Sequence, residues 1–261
     1  MKKPLIILII LCGILLSACA SEKQALFGQT FEFKNNRVVD GAEDIEMDEV
    51  SLSWGNLPQT NQEAAYYLTI GKDTHQPTDV FKMEGEQEGP VLWIVGGTHG
   101  DERAGVFAAT SLKNLRLSKG TVYGNDINRA YSQLDAPKDS AMLANGLWNA
   151  IVETKPILVL DLHEAAYYKS GVDFLGNTLI YTEVDGIELL FFSMLEATET
   201  GDLPFRLIGP GVKDSLNYEL SSTEQIPVIT VETFRGYPLS DRVKDQLAFI
   251  GFVFEFYGMV E

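Results

Sequence analysis

Three apolar, strand-like stretches of the sequence end in residues able to bind a metal ion or move a proton. "PVLWIVGG" (90–97) runs on into Thr98 and His99, "ILVLDLHEA" (157–165) contains His163 near its end, and "IPVITVETF" (226–234) contains Glu232. Glu102 follows His99 by three residues. Across a strand-to-helix turn that spacing can aim an imidazole nitrogen and a carboxylate at one point. His99, Glu102 and His163 form a two-histidine, one-carboxylate set, the ligand composition of catalytic zinc sites that keep one position open to water. Glu232 is then the group expected to take the proton of that water.

Each of these signals is weak alone. A His-x-x-Glu spacing occurs by chance in many helices and turns, and a histidine at a strand end is often a satisfied surface group. The joint arrangement carries the reading: of the three histidines in the chain, two sit where an apolar run ends. The third, His75, lies in the polar turn "KDTHQP" and is expected to be exposed and without a role.

The elements that must position these residues alternate in type. "AAYYLTIG", "DVFKMEGE" and "PVLWIVGG" read as strands, the last a continuous apolar run of the kind buried on both faces. "DERAGVFAATSLKNL" places Ala104, Phe107, Ala108, Leu112 and Leu115 at helical spacing. "MLANGLWNAIVE" is a second helix, leading through Pro156 into the strand that carries His163. "VDFLGNTLIYTE" is ambiguous, "IELLFFSMLEAT" reads as helix, "IPVITVETF" as strand, and a final helix spans "SDRVKDQLAFIGFVFEFY". Strands alternating with helices predict an α/β fold, a mainly parallel or mixed sheet flanked by helices. In such sheets ligands bind beyond the carboxyl ends of the strands, which is where His99, His163 and Glu232 fall.

Composition narrows the function. The chain has 261 residues, 45% of them hydrophobic, enough for a sizeable core. Its formal charge is -17, with 37 acidic against 20 basic residues, and a nucleic-acid partner is excluded because phosphate binding needs a basic face. The opening "MKKPLIILIILCGILLSAC" has two lysines, an apolar run and then small residues, the layout of a secretory signal. Leu16-Ser17-Ala18-Cys19 looks like a bacterial lipobox, in which the cysteine is lipidated. The alternative, an uncleaved anchor, has an apolar run that is short for a spanning helix. The expected organisation is a lipoprotein signal over 1–18, a tether and peripheral segment over 19–61, and a catalytic domain over 62–261, placed outside the cytoplasm and held to a bacterial membrane by lipid. The other cysteine, Cys12, lies in the leader, so no disulfide forms within the domain.

"GGTHGDE", "NDINRAY", "LDLHEA" and "VITVETFRG", in this order, resemble the succinylglutamate desuccinylase/aspartoacylase family of the zinc carboxypeptidase superfamily. The resemblance runs from about Pro90 to the C-terminus. It implies one zinc ion per chain, held by His99, Glu102 and His163. It also implies Glu232 as the base that activates water and later protonates the leaving nitrogen. Asn128 and Arg129 match the pair that holds the substrate carboxylate, a task suited to the planar guanidinium. Asp126 matches the carboxylate that accepts the far N–H of the first histidine, and Asp161, two residues before His163, is a candidate for similar work or for a purely structural role. Arg235 matches a common family residue and is a candidate for substrate contact; Tyr237 is a weaker one.

The sequence also departs from the family pattern. From the end of the first helix through the pair it has only "RLSKGTVYGNDINR" (116–129). Family members carry a further strand and a longer loop there, and many have an arginine that polarises the scissile carbonyl. Thr121 falls about where that arginine would stand, leaving the metal alone, Arg116 or Arg235 to serve. The stretch after Glu232 has room for a turn and a helix, so the resemblance implies a compact fold lacking the C-terminal β-domain of aspartoacylase-like enzymes.

The expected activity is zinc-dependent hydrolysis of an amide bond next to a carboxylate-bearing group, carboxypeptidase-like or N-acyl-amino-acid deacylase-like. The expected partner is a small N-acyl amino acid, a peptide or a cell-wall fragment. The alternatives are a catalytically weak or inactive lipoprotein that binds zinc or a carboxylate, and an esterase using the same groups.

Overall fold

The apolar runs form the middle of one sheet, because side chains buried on both faces need cover that edge strands do not have. The computed structural model describes residues 57–74, 77–99, 102–126, 138–165 and 176–261. The stretch expected to be a signal and a tether up to residue 56, with Cys19, and also His75, Asn128 and Arg129, lie outside the described residues.

The eight strands are β1 (Ala65–Ile70), β2 (Thr78–Glu84), β3 (Gln87–Gly96), β4 (Lys119–Asp126), β5 (Leu158–Ala165), β6 (Thr178–Tyr181), β7 (Arg206–Ile208) and β8 (Val228–Phe234). They lie in the order β1-β2-β4-β3-β5-β8-β6-β7. The central four, β4-β3-β5-β8, are mutually parallel, while β1, β2 and β6 join antiparallel and make the sheet mixed. Five helices flank it among the described residues: α1 (Arg103–Ser111), α2 (Lys138–Thr154), α3 (Glu188–Thr200), α4 (Leu216–Glu219) and α5 (Leu239–Phe256). The ambiguous stretch resolves at its end into β6.

Two apolar layers follow from strand alternation. Leu92, Ile94, Leu158, Leu160, Leu162, Ile229 and Val231 share a core with residues of α1, α3 and α5. Trp93, Val95, Val159 and Val228 pack with Leu143, Leu147 and Ile151 of α2 and Leu216 of α4. Each fully buried Leu, Ile or Val side chain contributes roughly 1.5–3 kcal/mol relative to exposure. Every residue of β5 is buried, so the polar members Asp161, His163 and Glu164 stand out against that trend.

The chain passes from β3 through α1 to β4 on one side, and later returns to β5 on the other side of β3. The winding therefore reverses between β3 and β5, and the crevice beyond their carboxyl ends is the favoured ligand position of an open α/β sheet.

One expectation about this region is corrected. The segment read as lacking a strand forms β4, over Lys119–Asp126. Thr121 lies near the start of that strand, paired with Glu84 and Val91. That is roughly 16 Å before its carboxyl end at the usual rise per residue. It is a sheet residue away from the rim.

Candidate metal centre

Three glycines set the geometry where β3 meets α1. Gly97 has a φ of 74°, in the left-handed region that glycine enters without strain, and turns the chain toward His99. A Cβ on Gly96 would come 2.3 Å from the carbonyl oxygen of Gly105, and one on Gly105 would come 2.8 Å from that of Leu162. Helix α1 thus lies directly on β3 and β5, with its first turn close to His163. The Glu102 N–H donates to the His99 carbonyl at 3.0 Å, closing the turn that brings the two side chains together.

The three sequence-predicted ligands converge. His99 Nδ1 is 2.8 Å from Glu102 Oε1, and His163 Nδ1 is 2.9 Å from Glu102 Oε2. One ligand atom from each of the three lies within 4.8 Å of the others. Glu102 and His163 are buried, whereas the His99 side chain is 49% exposed, which leaves the centre open to solvent on that side. On the far edge of its ring, His163 Nε2 is 2.9 Å from Asp161 Oδ2, while the Thr98 hydroxyl donates to Asp161 Oδ1 at 3.1 Å. Asp161 therefore does for His163 what the sequence led one to expect of Asp126 for His99: it holds the ring with Nδ1 directed into the centre.

The donor set fits a divalent cation. Glu102 Oε2 is buried with no hydrogen-bond partner among the described residues, although His163 Nδ1 is 2.9 Å away, so the two atoms approach without hydrogen-bond alignment. A cation between them would satisfy both. Charge points the same way. Four carboxylates (Glu102, Asp161, Glu164 and Glu232) interact around two guanidinium groups (Arg235 and Arg242). Among the described residues the carboxylates outnumber the guanidinium groups, an excess that favours a bound cation. Two imidazole nitrogens with one carboxylate suit zinc.

The hydrogen bond to Glu102 raises the pKa of His99. Burial works against a charged His163, yet Asp161 and Glu102 outweigh it and raise its pKa well above the ordinary value. Burial would likewise raise the carboxyl of Glu102, but His163 and then His99 pull it down to about 2.

Glu232 stands opposite His163 in the β5–β8 register and shares its face of the sheet. Burial pushes its carboxyl up to about 7, with His163 opposing. Arg235 lies at the centre: its Nη2 is 3.2 Å from Glu102 Oε1, and its Nε donates to the Glu164 carbonyl at 3.3 Å. Arg116 is elsewhere, in an exposed pair with Glu86. Asp126 ends β4 opposite Gly96, at the same rim. Tyr237 is about half exposed and meets Phe234 edge-on.

Thr98, Glu164, Arg242 and Gln246 were not singled out from the sequence. For Arg242 and Gln246 a signal existed: they fall four residues apart within the apolar stripe of the last helix, where an exposed face has no place for them.

No family model matches the sequence. No curated protein sequence matches it either. Solved structures do. Over 70% of this chain and 55% of that one, it superposes on apo Cell Shape Determinant protein Csd4 from Helicobacter pylori with a TM-score of 0.55 and 18% identity. An aspartoacylase family protein from Mesorhizobium loti matches 76% of this chain and 68% of its own, with a TM-score of 0.53 and 17% identity. The chain has the aspartoacylase-like fold. A succinylglutamate desuccinylase/aspartoacylase from Rhodobacter sphaeroides shares that fold over 84% of this chain and 69% of its own, at a TM-score of 0.52 and 18% identity. The aspartoacylase-like region common with Csd4 spans a little over half of the Csd4 chain. Csd4 is described as a D,L-carboxypeptidase, and its structures include tripeptide-bound and mDAP-bound forms.

Proposed function

We propose that the chain is a zinc-dependent hydrolase that cleaves an amide bond beside a carboxylate, acting on a peptide or a cell-wall fragment. The observation that carries this reading is the meeting of His99, Glu102 and His163 at the switch point of the sheet, with Glu232 in register beside His163. The aspartoacylase-like fold, shared with a D,L-carboxypeptidase, supports the reaction class. The tripeptide-bound and mDAP-bound neighbours support the substrate class.

His99, Glu102 and His163 would hold a zinc ion, which would supply Lewis acidity for the carbonyl and for a bound water. The protein's own groups do the rest. Glu232, with a pKa raised to about 7 by burial, is poised to accept a proton from water and return it to the leaving nitrogen. Asp161 keeps the Nδ1 lone pair of His163 available by taking its Nε2 proton in a hydrogen bond. Arg235 holds the Glu102 carboxylate. Asn128 and Arg129 are assigned to the substrate carboxylate on sequence grounds. On the same grounds we assign lipid attachment to Cys19, which would keep the domain outside the cytoplasm.

The test is elemental analysis of dialysed protein, wild type beside His99→Ala and His163→Ala, followed by a screen of peptides, N-acyl amino acids and simple esters. About one zinc per chain, lost in both variants, together with amide hydrolysis, is the expected result. Zinc without turnover would make the chain a binding protein, ester cleavage alone would make it an esterase, and no metal in folded wild type would end the hydrolase reading.

A further inference from the structure

Behind the metal centre lies a second polar group that the proposed reaction does not use. Helix α5 buries a stripe containing Leu239, Val243, Leu247, Ile250 and Phe254, and within it Arg242 and Gln246 are 2% and 0% exposed. Gln246 Nε2 donates to the His163 carbonyl at 3.0 Å and to Thr233 Oγ1 at 3.2 Å. Thr233 Oγ1 reaches the same carbonyl at 3.4 Å. Arg242 Nη1 binds the Glu164 carboxylate. Two side chains one helical turn apart thus grip the backbone of a ligand residue, the side chain next to it and the residue that follows Glu232.

We propose that Arg242 and Gln246 are positioning residues for the metal centre: through them α5 fixes the end of β5, and with it His163, against Glu102. The proposal rests on the reading of His99, Glu102 and His163 as metal ligands. Side chains alternate along a strand, so Glu164 and Thr233 face away from the side that His163 and Glu232 present. The cluster is buried, and its hydrogen bonds reach the centre through the strands. Stability alone does not account for it, since buried ion pairs are often replaced by hydrocarbon without loss. Glu164 Oε2 and Gln246 Oε1 are, moreover, buried without a hydrogen-bond partner among the described residues, a poor arrangement for a core whose only task is to cohere.

The test uses the full chain as wild type, Gln246→Met, the double variant Arg242→Met/Glu164→Leu, and Arg242→Lys. Zinc affinity is measured by competition with a chromophoric chelator, and thermal melting is measured on the metal-stripped proteins. Gln246→Met and the double variant are expected to lose about 10- to 100-fold in zinc affinity while melting at or above the wild-type temperature, and Arg242→Lys to retain most of the affinity. Affinities within about twofold of wild type, or losses of affinity that only track losses of melting temperature, overturn the proposal. A wild type that binds no zinc overturns the metal reading and this inference with it; a wild type that binds while the variants bind equally overturns this inference alone. Gln246→Met leaves the ion pair in place, so the question stands even if the double variant does not fold.

Discussion

His163 and Glu232 stand side by side, paired in register on the adjacent parallel strands β5 and β8 and facing the same way. The candidate metal ligand and the proposed proton acceptor are thereby fixed about one strand spacing apart, near 4.8 Å, without any loop having to place either.

Glu232→Gln removes the proton acceptor and keeps the shape. Turnover should fall by about 10²- to 10⁴-fold with zinc content unchanged, as read by steady-state kinetics and elemental analysis on the same sample. Wild-type kcat/KM should fall toward acid pH as Glu232 takes up a proton, and the residual activity of the variant should lack that limb. An unchanged rate would assign the base elsewhere.

Protons and zinc should compete. The pKa of His163 is raised by Asp161 and Glu102, and that of His99 by Glu102, so the metal-free centre carries protons near neutrality that the ion must displace. Calorimetry in buffers of different ionisation enthalpy should show proton release on zinc binding, with affinity weakening as pH falls. The same shifts govern the metal-free fold. Groups with raised pKa, including Glu232 at about 7, contribute stability that is fully present below their unfolded values and is lost as pH rises through the folded ones. Glu102, lowered to about 2, works the other way: its contribution is present above its ordinary value and lost on strong acidification. Melting temperatures of the stripped protein should therefore decline from mildly acidic to alkaline pH, and a rise over that interval would contradict the assignment.

Asp161→Asn replaces a carboxylate 2.9 Å from His163 Nε2 by an amide that can present either its oxygen or its nitrogen. Zinc affinity should drop by about 10- to 100-fold, measured by chelator competition, with secondary structure by circular dichroism unchanged. Retained affinity would return Asp161 to a structural role.

Gly105→Ala puts a methyl group 2.8 Å from the Leu162 carbonyl oxygen, which is backbone and cannot swing aside. Lifting α1 off β5 should cost about 1–3 kcal/mol in denaturant unfolding, and should separate Glu102 from His163 enough to weaken zinc binding. Full stability in this variant would mean that α1 does not sit as tightly on the sheet as described.

The sequence by itself determined most of the elements and pointed to His99, Glu102 and His163 as a group that converges, because both are local signals. Continuous apolar runs mark strands buried on two faces, and a polar residue at the end of such a run has only the rim to occupy. It also supplied the pairing of His99 with Glu102, which depends on a turn of three residues. It misjudged "KGTVYGND", where two glycines and a lysine conceal a strand held in place by neighbours on both sides, β2 and β3. Only the tertiary structure decided that Asp161 serves His163, that Arg235 lies on Glu102 while Arg116 lies elsewhere, and that Gln246 reaches the backbone of His163, and Arg242 the carboxylate of Glu164, from a helix about 80 residues further along. Such contacts depend on strand order and helix height, and these are set by packing across the whole sheet, which no short stretch of sequence encodes.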